Sequence, residues 1–362
     1  MAPGPTNSIV DVPGVGVGHA TVWRDEPAPP AGRGIARTGV TVIDPGGNTF
    51  RNPIPCGGAV LNGAGECTGF ITAQEWGLLE TPIFLTSTMQ LGRVYDAACE
   101  LLIDEDDGIG EDVIIPVVAE CDDSFLNDAR RMQVTRTDVA EALSNARASA
   151  RATPKVAPPE GAVGSGTGMS CFDFKGGIGT ASRLIPDTPY TVGVLAMCNF
   201  GERERLTVAG VPVGRLLPLR PEGETSAPFA GSCIVIVMTD APLTSHTCQR
   251  LAARAGLGLA RTGSTAHNGS GEIFLAAATG LRAPRGTSTP IGKATVPPIG
   301  GATVTPVGGA DLNPFFAAVV DATEESVLNC LLSAETMTGR SGNTSPGLPA
   351  DAVKELLSTA AR

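Results

Sequence analysis

Histidine is nearly missing from this chain. Only His19, His246 and His267 occur in 362 residues, and none has a cysteine or histidine partner at metal-ligand spacing. That scarcity weighs against metal catalysis and against a Ser-His-Asp triad. Cations are also in short supply: 26 Lys and Arg face 37 Asp and Glu, a net charge of −11, with no basic stripe able to neutralise phosphates. Nucleic acid is therefore excluded as a partner. No apolar run approaches the ~20 residues of a membrane span. Met1-Ala-Pro-Gly-Pro5 has neither the basic nor the apolar region of a signal peptide. The nine cysteines (56, 67, 99, 121, 171, 198, 233, 248 and 330) form no Cys-x-x-Cys pair, as expected of reduced, mostly buried thiols in a soluble cytoplasmic protein. Charged residues make up 17% and aromatics 4%, whereas Gly 46 and Pro 29 describe a turn-rich α/β protein, long enough for two average domains or one large one.

The stretch 227–243 organises the rest. Residues 221–230 are Pro, Glu, Gly, Thr, Ser and Ala with only Phe229 large and apolar, which predicts an exposed loop. The pattern then switches at Gly231-Ser232. Residues 233–238 are an apolar, β-branched run that reads as a buried strand. A small nucleophile-type residue thus stands where an accessible linker enters the core. Were the Gly231–Ser232 bond cut, Ser232 would carry both a hydroxyl and an α-amine of ordinary pKa ~7.7–8.0. Nucleophile and base would then share one residue. An ordinary serine at a strand start has the same local pattern.

In chain order, residues 7–22 read as two short strands around a tight turn. Gly14, Gly16 and Gly18 resemble half of a dinucleotide loop, but Pro13 interrupts the strand and no helix follows. Strands are predicted at 38–44 and 57–62. The polar segment 62–80, with Glu66, Glu75 and Glu80, fits a cleft lining, an oligomer contact or a solvated loop. A helix is expected at 91–103, then a strand at 113–119 that delivers Glu120-Cys-Asp-Asp-Ser-Phe-Leu-Asn-Asp128 at its carboxyl end. Such carboxylates suit a substrate ammonium, or simply an acidic loop. Residues 138–148 read as a helix, 151–160 as a proline-rich connection, and 161–169 and 175–183 as glycine-rich strands. In the last of these the lysine precedes the glycines, which excludes a P-loop. A strand at 190–198 ends in Asn199. A helix at 243–260 leads to a strand at 273–278, at whose entry Ser270 and Glu272 share a face. A surface excursion over 283–309 leads to a final helix at 314–337.

Together these segments resemble the DmpA-type aminopeptidases, the family of L-aminopeptidase D-amidase/D-esterases and β-peptidyl aminopeptidases. The blocks that carry the resemblance are Asp11-Val-Pro-Gly-Val-Gly-Val-Gly-His19, Asn62-Gly-x-Gly-Glu66, Glu75-Trp-Gly-Leu-Leu-Glu-Thr-Pro82, Gly164-Ser-Gly-Thr-Gly-Met169 with Phe174-Lys-Gly-Gly-Ile-Gly-Thr180, Gly231-Ser232 with Thr239-Asp-Ala-Pro242, and Gly269-Ser-Gly-Glu272. The resemblance implies a single four-layer αββα sandwich over 1–362, similar to the N-terminal nucleophile hydrolases but differently connected. It implies self-cleavage at Gly231–Ser232 into an α chain, 1–231, and a β chain, 232–362. These would stay associated and assemble into a homo-oligomer, a tetramer of αβ units. Ser232 would be the nucleophile, Asn199 the oxyanion-stabilising amide, Ser270 and Glu272 the pair that tunes the nucleophile, and Glu120 the acid that binds the substrate's free amine. Neither cofactor nor metal is implied. The substrate would be a small peptide, amide or ester. Where the family often has an aromatic close behind the amine-binding acid, this chain has Glu120-Cys121-Asp122-Asp123, with Phe125 the first aromatic. Two alternatives stay open: an amidase of the same fold acting on a non-peptide, pantetheine-like amide, and a non-catalytic assembly protein.

Overall fold

The computed structural model describes residues 1–218, 231–286 and 306–360. The loop expected at 221–230 and most of the excursion expected at 283–309 therefore lie outside the described residues.

Two sheets face each other. In the first, β1 (Gly16–Asp25), β2 (Ile35–Asp44), β5 (Ile83–Ser87) and β6 (Val117–Cys121) lie in that order. The second has the order β4-β3-β12-β11-β10-β9, from β3 (Ile54–Gly63), β4 (Leu78–Leu79), β9 (Gly177–Leu184), β10 (Thr191–Asn199), β11 (Ser232–Thr239) and β12 (Gly271–Ala278). A two-stranded hairpin, β7 (Ser170–Cys171) and β8 (Phe174–Lys175), stands apart. Pairing is antiparallel except where a helical crossover joins the strands: β5 with β6 across α2 (Leu91–Glu105), and β11 with β12 across α5 (Ser245–Ala252) and α6 (Ala255–Arg261). The remaining helices among the described residues are α1 (Phe70–Trp76), α3 (Arg136–Arg151), α4 (Val213–Leu216), α7 (Asn313–Ser333), which ends short of the expected 337, and a last helix α8 (Ala350–Ala360).

The burial pattern of β11 explains the layering. All eight of its residues are buried, so both faces of the strand must be covered. Cys233, Val235 and Val237 pack with Leu251, Phe315 and Val319 on the helical side. Ile234, Ile236 and Met238 pack with Ile43, Leu85 and Val117 of the other sheet. On the far face of the first sheet, Val40, Val42 and Phe84 meet Val94, Val139 and Leu143 of α2 and α3. The result is the expected four-layer αββα sandwich. The glycines of β1 serve it: a Cβ on Gly16 or Gly18 would strike the α3 backbone at Ala146, so glycine is what lets that helix lie flat on the strand.

Several expected boundaries differ. Residues 7–22 contain one strand, β1, preceded by a single helical turn at Ile9–Asp11. The strand expected at 113–119 starts only at Val117, because Pro116 has no N–H to give a ladder; Val113 and Ile115 are exposed. Glu120 consequently lies within β6, opposite Thr86, rather than beyond it. Residues 161–169 are not a strand but a loop with a helical turn at Gly164–Gly166, where Gly164 takes φ +51°. The helix expected at 243–260 is two, divided where Arg254 N–H bonds Leu251 O at 2.9 Å and tightens the chain. Glu80, which lacks a cation nearby in sequence, is ion-paired with Arg285.

Candidate active site

The ends of β6 and β10 and the starts of β11 and β12 meet at one edge of the sandwich. Their register sets the site. Ser232, the first residue of β11, lies opposite Asn199 of β10 on one side and Gly271 of β12 on the other. A cleft of about 560 Å³ opens over it, lined by Ser232, Gly231, Glu66, Thr88, Glu120 and Asp122 among others. Ser232 is itself 5% exposed, so its hydroxyl is reached only from the cleft.

One backbone amide faces the nucleophile. Gly271 N–H lies 3.3 Å from Ser232 Oγ and 3.2 Å from the carbonyl oxygen of Gly231, the carbonyl of the expected cleavage bond. One donor thus addresses both the attacking oxygen and the bond it would attack. Gly231 is held as tightly: a Cβ there would overlap the Asn199 carbonyl oxygen and stand 2.9 Å from Phe200 Cα, so only glycine fits.

Asn199 is buried and its amide orientation is settled by its neighbours. Ser170 N–H donates to Oδ1 at 2.8 Å, which leaves Nδ2 as the other end, and Nδ2 donates to the Asp122 carbonyl at 2.8 Å. An amide nitrogen carries two N–H groups, so one remains for an oxyanion formed at Ser232. The Cys121-Asp122-Asp123 stretch has a structural role here. Cys121 packs into the core between the sheets, and Asp122 gives its carbonyl to Asn199 while its carboxylate accepts from Ser124 N–H at 2.8 Å. Asp123 is buried, accepts from Asn127 Nδ2 at 3.0 Å, and is pushed by burial up to about 7.

Glu120, 3% exposed, projects into the same cleft. Glu66 N–H donates to its Oε1 at 2.9 Å and Thr88 Oγ1 donates to its Oε2. Burial raises its carboxyl above the ordinary value, against the pull of these two donors. Each oxygen keeps a further acceptor position.

Ser270 and Glu272 do share a face: Ser270 Oγ donates to Glu272 Oε1. Burial raises Glu272 above its ordinary value, and its Oε2 has no hydrogen-bond partner among the described residues. Neither side chain is hydrogen-bonded to Ser232 among the described residues; they flank Gly271, whose N–H faces Ser232 Oγ. The loop before them is pinned by Asn62, whose Nδ2 donates to His267 O at 3.0 Å and to Ser270 O. The ring of His267 is turned to Glu202, 3.7 Å away.

Gly231, Ser232, Asn199, Glu120, Ser270 and Glu272 therefore gather at one edge, whereas Glu80 pairs with Arg285 elsewhere. Sequence reasoning passed over Thr88 and Ser170, and it gave no role to Asn62 and Gly271, which stand only as members of the blocks named above. Gly271 and Ser170 act through backbone N–H groups, which no side-chain pattern reveals, and only their positions beside Ser270 and in the glycine-rich block could have marked them.

Among the described residues no helix is long and apolar enough to cross a membrane. Residues 7–345 match Peptidase family S58. The β-peptidyl aminopeptidase BapA of Sphingosinicella xenopeptidilytica is 39% identical over 371 residues, covering 98% of this chain and 88% of its own. The PH0078 protein of Pyrococcus horikoshii OT3 superposes with a TM-score of 0.88 at 39% identity, covering 100% of this chain and 96% of its own. The L-aminopeptidase D-Ala-esterase/amidase of Ochrobactrum anthropi, described as a prototype for the serine aminopeptidases and a new variant among the Ntn hydrolase fold, gives 0.86 at 34% identity, with coverage of 100% and 96%. The chain belongs to peptidase family S58.

Proposed function

We propose that the protein is a self-processing serine aminopeptidase/amidase that releases small N-terminal residues from peptides, amides or esters, with Ser232 as its N-terminal nucleophile. One observation carries the reading: a buried carboxylate, Glu120, and a buried serine at a strand start, Ser232, line the same cleft. An ammonium held on Glu120 sets the first residue of a substrate against the nucleophile, and a substrate without that amine has nothing to offer the carboxylate.

Self-cleavage comes first. Ser232 Oγ attacks the Gly231 carbonyl, whose oxygen already accepts from Gly271 N–H, and the acyl group passes from nitrogen to oxygen. Water then releases Gly231 as a carboxylate and leaves Ser232 with a free α-amine. In turnover that amine takes the Oγ proton, Oγ attacks the substrate carbonyl, and the oxyanion accepts the spare Asn199 N–H. The amine returns its proton to the leaving nitrogen, and water hydrolyses the ester. Ser270 and Glu272 hold Gly271 in place and tune the proton balance beside it. The names of the relatives support D- or β-residues as the class removed. The α chain 1–231 and β chain 232–362 remain one αββα unit, assemble further as homo-oligomers and work in the cytoplasm, a setting that suits nine free cysteines.

The test is hydrolysis of an amino-acid p-nitroanilide by the purified protein and by Ser232→Ala. The wild type is expected to release p-nitroaniline and the variant to be inactive; equal activity in both removes Ser232 from the chemistry.

A further inference from the structure

Lys175 is fully buried, and no carboxylate is hydrogen-bonded to it among the described residues. Its Nζ donates instead to three main-chain carbonyls, Met169 at 2.6 Å, Gly176 at 2.8 Å and Gly166 at 3.3 Å. Three acceptors match the three N–H groups of an ammonium. Burial lowers the lysine to about 7, with Cys330, Cys171 and Asp123 acting in the opposite sense. The carbonyls favour the charged form. A charge held this way is costly to bury, and packing alone does not call for it, since a methionine would fill similar space.

What the ammonium touches supplies the reason. Its shortest bond is to the carbonyl of the Met169–Ser170 peptide, and the N–H of that same peptide donates to Asn199 Oδ1 at 2.8 Å. A peptide group is resonant, so electron density drawn to its oxygen leaves its N–H a stronger donor. The Asn199 side-chain amide repeats the effect, from Oδ1 to its Nδ2 hydrogens. Hydrogen bonds in series polarise one another, and more so out of water.

We propose that Lys175 is a positioning residue for the oxyanion: through the Met169–Ser170 peptide and the Asn199 amide, its ammonium both fixes and polarises the N–H that receives the negative charge formed at Ser232. This rests on the role given above to Asn199. The chain of bonds is Lys175 to Met169 O, Ser170 N–H to Asn199 Oδ1, and Asn199 Nδ2–H to the oxyanion. It matters in the transition state, where that charge exists, and hardly at all in the ground state.

The experiment is a double-mutant cycle on an amino-acid p-nitroanilide with wild type, Lys175→Met, Asn199→Ala and the double variant, each normalised to its processed fraction by intact mass. Removing one oxyanion donor costs on the order of 10²–10³ in kcat, so Asn199→Ala is expected in that range. Lys175→Met is expected to lower kcat about tenfold with KM within about twofold, a fraction of the full donor's worth. In the Asn199→Ala background the same substitution should cost less than about twofold, because the chain is already cut. An equal loss in both backgrounds, or an effect carried by KM, means that Lys175 only holds the loop and overturns the proposal. Should Lys175→Met yield no folded protein, Lys175→Gln, which keeps two donors without the charge, is read in the same cycle against the same outcomes. If Asn199→Ala leaves kcat unchanged, the reading of the site fails. If Asn199→Ala is impaired while Lys175→Met turns over normally, the relay alone fails.

Discussion

Glu120→Gln is the substitution that asks whether this enzyme measures its substrate from a free amine. The carboxylate is 3% exposed, so salt screens it little, and each of its oxygens already accepts one hydrogen bond, from Glu66 N–H and from Thr88. A substrate ammonium would add a charge-assisted bond worth about 1.5–3 kcal/mol. At about 1.36 kcal/mol per tenfold, that is one to two decades in kcat/KM. Wild type should therefore hydrolyse an amino-acid p-nitroanilide roughly 10–100-fold better than its N-acetyl form, by the same arithmetic. Glutamine preserves the shape and can still accept the Glu66 N–H, so Glu120→Gln should fold, process and lose most of that preference through its effect on the free-amine substrate alone. The assay is a pair of steady-state kcat/KM measurements for each protein. If wild type treats the two substrates alike, the ammonium plays no part and a non-peptide amide becomes the better substrate. If Glu120→Gln keeps the full preference, another group holds the amine.

Two further outcomes follow from the same edge of the sandwich. Gly231→Ala sets a Cβ against the Asn199 carbonyl and forces the cleavage bond off Gly271 N–H, so it should fold but process on the order of 10²-fold more slowly, followed as band conversion on a denaturing gel; conversion at the wild-type rate contradicts the fit described here. Glu272→Gln tests the buried carboxyl. Because its folded pKa is raised, the native protein keeps that proton at pH values where the unfolded chain, with an ordinary value of about 4.3, has lost it; stability is thus lost as pH rises from there through the folded pKa. The variant should therefore melt higher than wild type at pH 7, with the gap narrowing towards pH 4, and a gap that does not change with pH refutes the assignment.

The parts of this fold that could be read from sequence are those where a single chemical demand dominates. β2, β10, β11 and β12 are continuous apolar or β-branched runs bounded by turn residues, and both faces of each are buried, so composition and position agree. The glycine-rich block at 161–169 failed that way of reading because glycine serves a positive φ at Gly164 as readily as a strand. At 243–260 the apolar period runs on while the backbone breaks between Ala252 and Ala255, where Arg254 N–H bonds Leu251 O at 2.9 Å, a tightening that no side-chain period records. The site divides in the same manner. Ser232, Asn199, Glu120, Ser270 and Glu272 are side chains with chemistry, and they were visible. Gly271 and Ser170 contribute N–H groups that every residue but proline has, and Thr88 reaches Glu120 only because β5 and β6 pair in parallel.

Intact-mass analysis of freshly purified protein beside Ser232→Ala tests the central claim most directly. The account predicts that wild type separates under denaturing conditions into two chains whose boundary is Gly231–Ser232, the second beginning with a free serine amine, whereas Ser232→Ala remains one chain of 362 residues. An active wild type that stays whole, or a Ser232→Ala chain that divides at the same bond without added protease, would contradict it.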